Sequence, residues 1–335
     1  MARCVADPSI QRKTVDGFPF PLGVYPVEEM APQPGYTTEF EPADADEDDA
    51  DWESWPDRYV YDVVVPATRL IPLWDQMFAL MPGRVFPILD FIGHDAYREV
   101  DPYMAYEPVG CERVTDAIRR YRDFFFEDGM VGFGVVSDDP FLYLFVDEHK
   151  ILTVRAEPDL KAGVEGILRA FDLEPHDEPA GADAAAHEHR GVLLAPKDRP
   201  DLLTAEEVVE ELRDRWRLLL NIDPETNLDD DGNELGFTPW RCIVRCASEK
   251  TPDDRYAEVV CVADRLRRAE EMAMDAGLEL LGEAGEWSDT VVVAADRLTP
   301  EGLAETLTAA GVRNRLPRKR LNSEHLLSSR WLEPV

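Results

Sequence analysis

The sequence is short of positive charge. Against 69 acidic residues stand 35 basic ones, for a formal net charge of −34 at pH 7, and only 6 of the bases are lysine. A surface of that sign repels DNA, RNA and anionic lipid at long range. Nucleic acid is therefore not an expected partner, and the partner such a field would steer in is a basic protein. No apolar run approaches the roughly 18 residues of a membrane helix, and the opening stretch Met1–Gly17 lacks the apolar segment of a secretory signal. The expectation is a cytoplasmic protein with no membrane association. Cysteine is also scarce: Cys4, Cys111, Cys242, Cys246 and Cys261 are odd in number and contain no CxxC spacing, which argues against a disulfide framework or a zinc ribbon.

Catalytic signatures are missing too. The chain has no GxSxG, no HExxH, no GxGxxG after a strand and no GxxxxGK[ST], so four common catalytic frameworks lack support. The functional expectation is a non-enzymatic intracellular binding or regulatory protein. Two alternatives stand beside it: an acidic inhibitor or immunity-type protein for a basic target, and a metal-dependent hydrolase.

What is present reads as α+β. Between Gly129 and Leu173, three short segments rich in Val, Leu and Phe are separated by acidic turns at Asp138–Pro140 and Asp147–Lys150, the pattern of an antiparallel meander. A helix follows, with Leu160, Val164, Ile167, Leu168 and Phe171 on one face. Upstream, from Arg58, the order is strand, helix, strand, strand, helix, strand. The second half repeats that grammar, with a capping box at Thr204 and Glu207 opening a strong helix. The fold expected is two domains of ferredoxin-like (split βαβ) order, the first extended by the meander and its helix.

The domain boundaries follow composition. Residues 1–57 form an acidic and aromatic arm: Pro19, Pro21, Pro26, Pro32, Pro34 and Pro42 interrupt it, and ten acids with no base lie between Glu39 and Asp57, a run that cannot pack by itself. Residues 58–173 are the first α+β domain, 174–190 an acidic linker and 191–312 the second α+β domain. In the tail, residues 313–335, five bases cluster between Arg313 and Arg320, and SEHLLSSRWL reads as a helix.

Few residues suggest a site. His94 beside Asp95, and His149 beside Asp147, have the make-up of a general-base pair. In the linker, His176, His187 and His189 could serve zinc or nickel, but the segment advertises neither a fourth ligand nor a rigid frame. Arg69, Arg265 and Arg297 recur at strand-to-helix junctions, where capping alone accounts for the neighbouring Thr or Asp. Gly129, Gly132 and Gly134 read as close packing within a strand. A symmetric hairpin would set Cys242 opposite Cys261. Ligand spacing as such occurs once, in NLDDDGNELGFT. There Asn227, Asp229, Asp231 and Asn233 surround Gly232 in the manner of a calcium loop, although the position that supplies a bidentate Glu holds Thr238, so any calcium affinity should be weak. An Asp-Gly turn explains the same residues.

Overall fold

The computed structural model describes residues 3–43, 55–196, 198–199, 201–247, 254–281, 289–312 and 322–332. Among these the chain is a mixed α/β protein with seven α-helices and several antiparallel sheets. It divides into two compact units, Met1–Phe91 with Pro102–Asn221, and Ile92–Asp101 with Ile222–Val335. The division does not fall at residues 174–190, where composition suggested a linker. That acidic segment holds a strand and backbone hydrogen bonds to the amino-terminal residues, so its polarity marks solvent exposure along one side.

The first unit opens with five short strands, β1 (Thr14–Val15), β2 (Phe18–Pro19), β3 (Val24–Pro26), β4 (Gly35–Tyr36) and β5 (Glu39–Glu41). It continues with β6 (Arg58–Val64), α1 (Ala67–Phe78), β7 (Arg84–Phe91), β8 (Asp101–Ala105), β9 (Val109–Gly110), α2 (Cys111–Arg120) and α3 (Arg122–Glu127). The meander β10 (Val131–Asp138), β11 (Phe141–Val146) and β12 (Leu152–Ala156) follows, then α4 (Lys161–Ala170), β13 (His187–His189), α5 (Ala205–Trp216) and β14 (Leu218–Leu220). Ten of these strands make one sheet of order β14-β8-β7-β10-β11-β12-β6-β4, with β5 on β6 and β9 on β7.

Alternation explains the meander. Leu142, Leu144 and Val146 face the core, as do Leu152, Val154 and Ala156 across from them. Against that face lie Leu70, Leu73, Trp74 and Met77 of α1, Phe124, Phe125 and Phe126 of α3, and Val164 and Leu168 of α4. Each such side chain contributes about 1.5–3 kcal/mol on burial. A ferredoxin-like order would interleave the strands before and after α1. Here β6 closes the far side of the meander and β7 pairs with β10 instead. Residues 3–43 carry buried apolar side chains: Phe18, Phe20 and Val24 form a small cluster with Val64 and Ala182.

The second unit contains β15 (Thr238–Ala247), β16 (Arg255–Ala263), α6 (Leu266–Leu281), β17 (Asp289–Arg297), α7 (Pro300–Ala309) and β18 (His325–Trp331), in a sheet of order β17-β15-β16-β18. Helix α6 carries the chain from β16 over β15 to β17, which is one split βαβ crossover. The first two strands, however, are joined as a hairpin and not through a helix. Residues 325–331 are a strand where a helix was expected. The cause lies in Glu258 of β16, whose side chain is only 5% exposed and sits between Arg241 at 2.8 Å and Arg330 of β18 at 2.7 Å. A buried carboxylate without partners is costly, and the strand geometry of β18 delivers Arg330. The basic cluster at 313–320 lies outside the described residues.

The hairpin register differs from the symmetric one. Cys242 pairs with Val259 and Cys261 with Trp240, so the two thiols are diagonal neighbours. Cys242 is held well above the ordinary thiol range by its hydrogen bond with Cys261 and by burial, and all five cysteines are free.

Candidate metal centre

Three histidines converge in the first unit. One ring nitrogen from each of His149, His187 and His189 lies within 4.8 Å of the others, and the rings stand edge to face with centroids 4.8–4.9 Å apart. Two of them come from the alternation of β13: positions i and i+2 of a strand share a face, so His187 and His189 point one way and Glu188 the other. The third sits in the turn between β11 and β12. That turn is held by the Asp147 side chain, which accepts from the Ile151 N–H at 2.7 Å, and by the Lys150 N–H donating to the Asp147 carbonyl at 3.1 Å. Lys150 takes the left-handed conformation at φ 66° and threads its buried ammonium inward to the Val131 carbonyl. Burial lowers that ammonium to about 8.

Glycine permits the approach of β13. A Cβ on Gly23 would stand 2.1 Å from the Gly129 nitrogen, and one on Gly129 would stand 2.0 Å from the Gly23 carbonyl oxygen. Neither contact is tolerable, so three backbones meet there only because both residues are glycine. The Arg190 N–H donates to Gly23 at 2.8 Å, the Gly129 N–H to Arg190 at 3.1 Å and the Gly23 N–H to Glu127 at 2.7 Å. Close packing was the expected role of Gly129, and it brings the Gly129 carbonyl to the imidazole of His189.

The far nitrogens of the rings are all engaged. Nδ1 of His189 contacts the Gly129 carbonyl at 2.8 Å and Nδ1 of His187 the Ala185 carbonyl at 2.8 Å. A carbonyl only accepts, so both Nδ1 atoms carry a proton, and the two Nε2 atoms are left to each other. Those two Nε2 atoms face each other at 3.1 Å. His149 turns its Nδ1 to Asp147 at 3.4 Å and Glu148 at 3.3 Å. This is how metal-binding histidines are oriented, with the outer nitrogen held by a carbonyl or carboxylate. Two nitrogens at about 2.1 Å from a tetrahedral zinc would be about 3.4 Å apart, and about 3.0 Å apart at adjacent octahedral positions. The observed spacing lies between those values.

No family model, no curated protein and no solved structure matches this chain. The site is therefore interpreted from its own geometry.

Its electrostatics are mixed. Burial lowers the pKa of His189, and the neighbouring His149 and His187 lower it further against the Gly129 carbonyl. Burial also pushes His149 down, but Asp147, Glu148 and Asp183 outweigh it and its pKa is raised. A cation held among the three rings would find countercharge in the carboxylates of Asp147 and Glu148 at the rim. Imidazole donors suit zinc, nickel, copper and iron, in contrast to calcium or magnesium.

The remaining sequence-derived candidates are used elsewhere. His176 accepts at Nδ1 from the Glu178 N–H at 3.0 Å, beside Gly35. Asp95 is fully buried and belongs to Arg297: the guanidinium Nη2 lies 2.8 Å from Oδ1, and the Arg297 N–H donates to Oδ2 at 2.8 Å. Arg297 is thus a buried structural cation at the end of β17, while Arg69 donates to the Phe171 carbonyl and Arg265 pairs with Glu225 and Asp264. Of the calcium-loop candidates Asn227, Asp229, Asp231 and Asn233, the first two spend their side-chain oxygens on the loop itself and on Arg297. Asn227 donates to the Gly236 carbonyl at 2.6 Å and to Thr238 Oγ1 at 3.0 Å, and accepts from Arg297 at 3.2 Å. Asp229 Oδ1 accepts the N–H groups of Asp231 and Asn233 at 3.1 and 2.8 Å, and Gly232 takes φ 79°. The geometry is that of a self-capped turn.

Among the described residues no helix is long and apolar enough to cross a membrane.

Proposed function

We propose that this is an intracellular binding or regulatory protein whose ligand is a single first-row transition-metal ion, held by His149, His187 and His189. The observation that carries the reading is the convergence of three imidazoles, one ring nitrogen of each within 4.8 Å of the others, with the Nδ1 atoms of His187 and His189 tied to carbonyls. The test is zinc and nickel titration of chelator-treated full-length protein, by calorimetry and by elemental analysis after desalting. One equivalent should bind in wild type and none in His187→Ala/His189→Ala. Equal uptake by both proteins would reject the site.

A second reading has an observation of its own. Three protein donors leave one position of a tetrahedron open, the arrangement of catalytic zinc and not of closed structural zinc, which favours the metal-dependent hydrolase. The zinc-loaded protein would then hydrolyse an activated ester faster than free zinc, and His149→Ala would remove the excess. The excess charge remains an argument for a basic protein partner, whose complex should dissolve as salt rises. For the second unit we also propose a ferredoxin-like ancestry on the strength of its single split crossover.

A further inference from the structure

The three ligands do not come from one structural element. His187 and His189 lie on β13, whose pairing partner is β3, and β13 and β3 form a separate two-stranded sheet. His149 lies in the turn between β11 and β12, which belong to the ten-stranded sheet. A two-stranded ribbon has little stability of its own in water. This one is fastened to the body by the glycine contact at Gly23 and Gly129 and by the small cluster of Phe18, Phe20 and Val24 with Val64 and Ala182. Backbone hydrogen bonds contribute little net against the entropy of ordering the residues that make them. Arg12, paired with both carboxylate oxygens of Glu127, and the Leu22 N–H donating to the same carboxylate also tie the ribbon to the body. A metal bound by both rings of β13 and by His149 would add a direct tether between the ribbon and the meander.

We infer that the metal acts as a clasp, joining the ribbon of residues 14–27 and 185–190 to the meander, so that metal occupancy sets whether this part of the amino-terminal segment is docked. The inference rests on the metal-binding reading above and adds a conformational consequence to it. The ends of the segment are held independently. The Asp7 N–H donates to the Val192 carbonyl at 2.8 Å and the Leu203 N–H to Arg3 at 2.8 Å, while β4 and β5 pair with β6. Loss of metal should therefore release the middle of the segment and leave both ends in place, uncovering Phe18, Phe20 and Val24 and the surface formed by Val64, Ile151 and Ala182.

The test is hydrogen exchange, read by mass spectrometry on full-length protein with and without one equivalent of zinc, while zinc stoichiometry is measured on the same samples. Zinc should slow exchange roughly tenfold or more at the ribbon amides of Val27 and Arg190 and leave β10–β12 unchanged. In His149→Ala, with a native circular dichroism spectrum, zinc should no longer slow them, because the tether to the meander is gone. Zinc bound at one equivalent with unchanged ribbon exchange overturns the clasp and leaves the metal site standing. Equal slowing in wild type and His149→Ala also overturns it. Failure to bind zinc at all removes the metal-binding reading, and the clasp with it.

Discussion

Two regions of this protein carry residues with the composition of a cation site, and they differ in what their donors are doing. In the loop around Asp229 the side-chain oxygens of Asn227 and Asp229 already accept hydrogen bonds from the loop itself or from Arg297. Around His149 the Nδ1 atoms of His187 and His189 are tied to carbonyls, and their Nε2 atoms turn to each other within the three-ring cluster. Donor spacing along the chain is the same kind of signal in both places. What separates them is whether local backbone N–H groups have consumed the lone pairs, because a carboxylate beside a turn finds free N–H donors within its own loop. An imidazole on a strand finds no such donor at its tip.

The comparison can be broken by experiment. The largest effect expected is zinc stabilisation: at a thousandfold excess over its dissociation constant a ligand of the native state adds about 4 kcal/mol, so zinc should raise the melting temperature of wild type and leave that of His187→Ala/His189→Ala unmoved. Millimolar calcium should move neither. A calcium shift abolished by Asp229→Ala/Asp231→Ala, with no zinc shift, would invert the contrast drawn here.

Next in size is Asp95→Ala, measured by urea unfolding. It strands the Arg297 guanidinium, whose side chain is 4% exposed, and removing one partner of a buried pair costs about 3–5 kcal/mol. Since Arg297 also holds Asn227, the loop should lose order together with the pair, which sharpens the view of that loop as structural. A cost well under 1 kcal/mol would mean that the pair is not buried in solution.

The neighbouring Asp296 gives a pH-dependent effect. Burial first, and repulsion from Asp101 second, push its carboxyl up to about 6 against the attraction of His94 and Arg241. With a folded value above the unfolded one, its contribution to stability is fully present below about pH 3.8 and is lost as pH rises through 6. Asp296→Asn should therefore be more stable than wild type at pH 8, by on the order of 2–3 kcal/mol, and the gain should vanish near pH 4. A gain independent of pH would assign it to packing.

The smallest effect belongs to Asp229→Ala. The carboxylate is exposed and serves only its own turn, and its pKa is lowered by the N–H and side-chain amide of Asn233. The melting curve should hardly move, whereas the amides of Asp231 and Asn233 should exchange faster. Retention of their protection would show that the backbone alone sets the turn.

Much of the secondary structure is legible from the sequence, for local reasons. The meander strands follow from alternation and Asp-rich turns, and α1 from its i, i+3, i+4 spacing of Leu70, Leu73, Trp74 and Met77. The capping box at Thr204 and Glu207 forms as the sequence indicates. Each depends on neighbours within a few residues. Where the sequence misleads, the deciding partner is remote. Residues 325–331 become a strand because Glu258 requires Arg330, and residues 187–189 leave the linker for a strand because Val24–Pro26 arrive to pair with them. The hairpin of β15 and β16 settles two residues from symmetry, a displacement that β-pairing allows without turning any side chain to the other face.

The candidate site divides in the same way. Sequence alone determined that His187 and His189 would share a face if they lay on a strand, that an acidic turn would present His149, and that Gly129 marked a close approach. It could not bring the 149 turn to residues 187–189, since imidazoles 38 positions apart carry no mutual signal along the chain. Only the tertiary structure decided that: the ten-stranded sheet fixes the turn, two glycines let three backbones meet, and two carbonyls take the outer protons of the rings. Which nitrogens remain free to hold a metal is a property of those distant contacts.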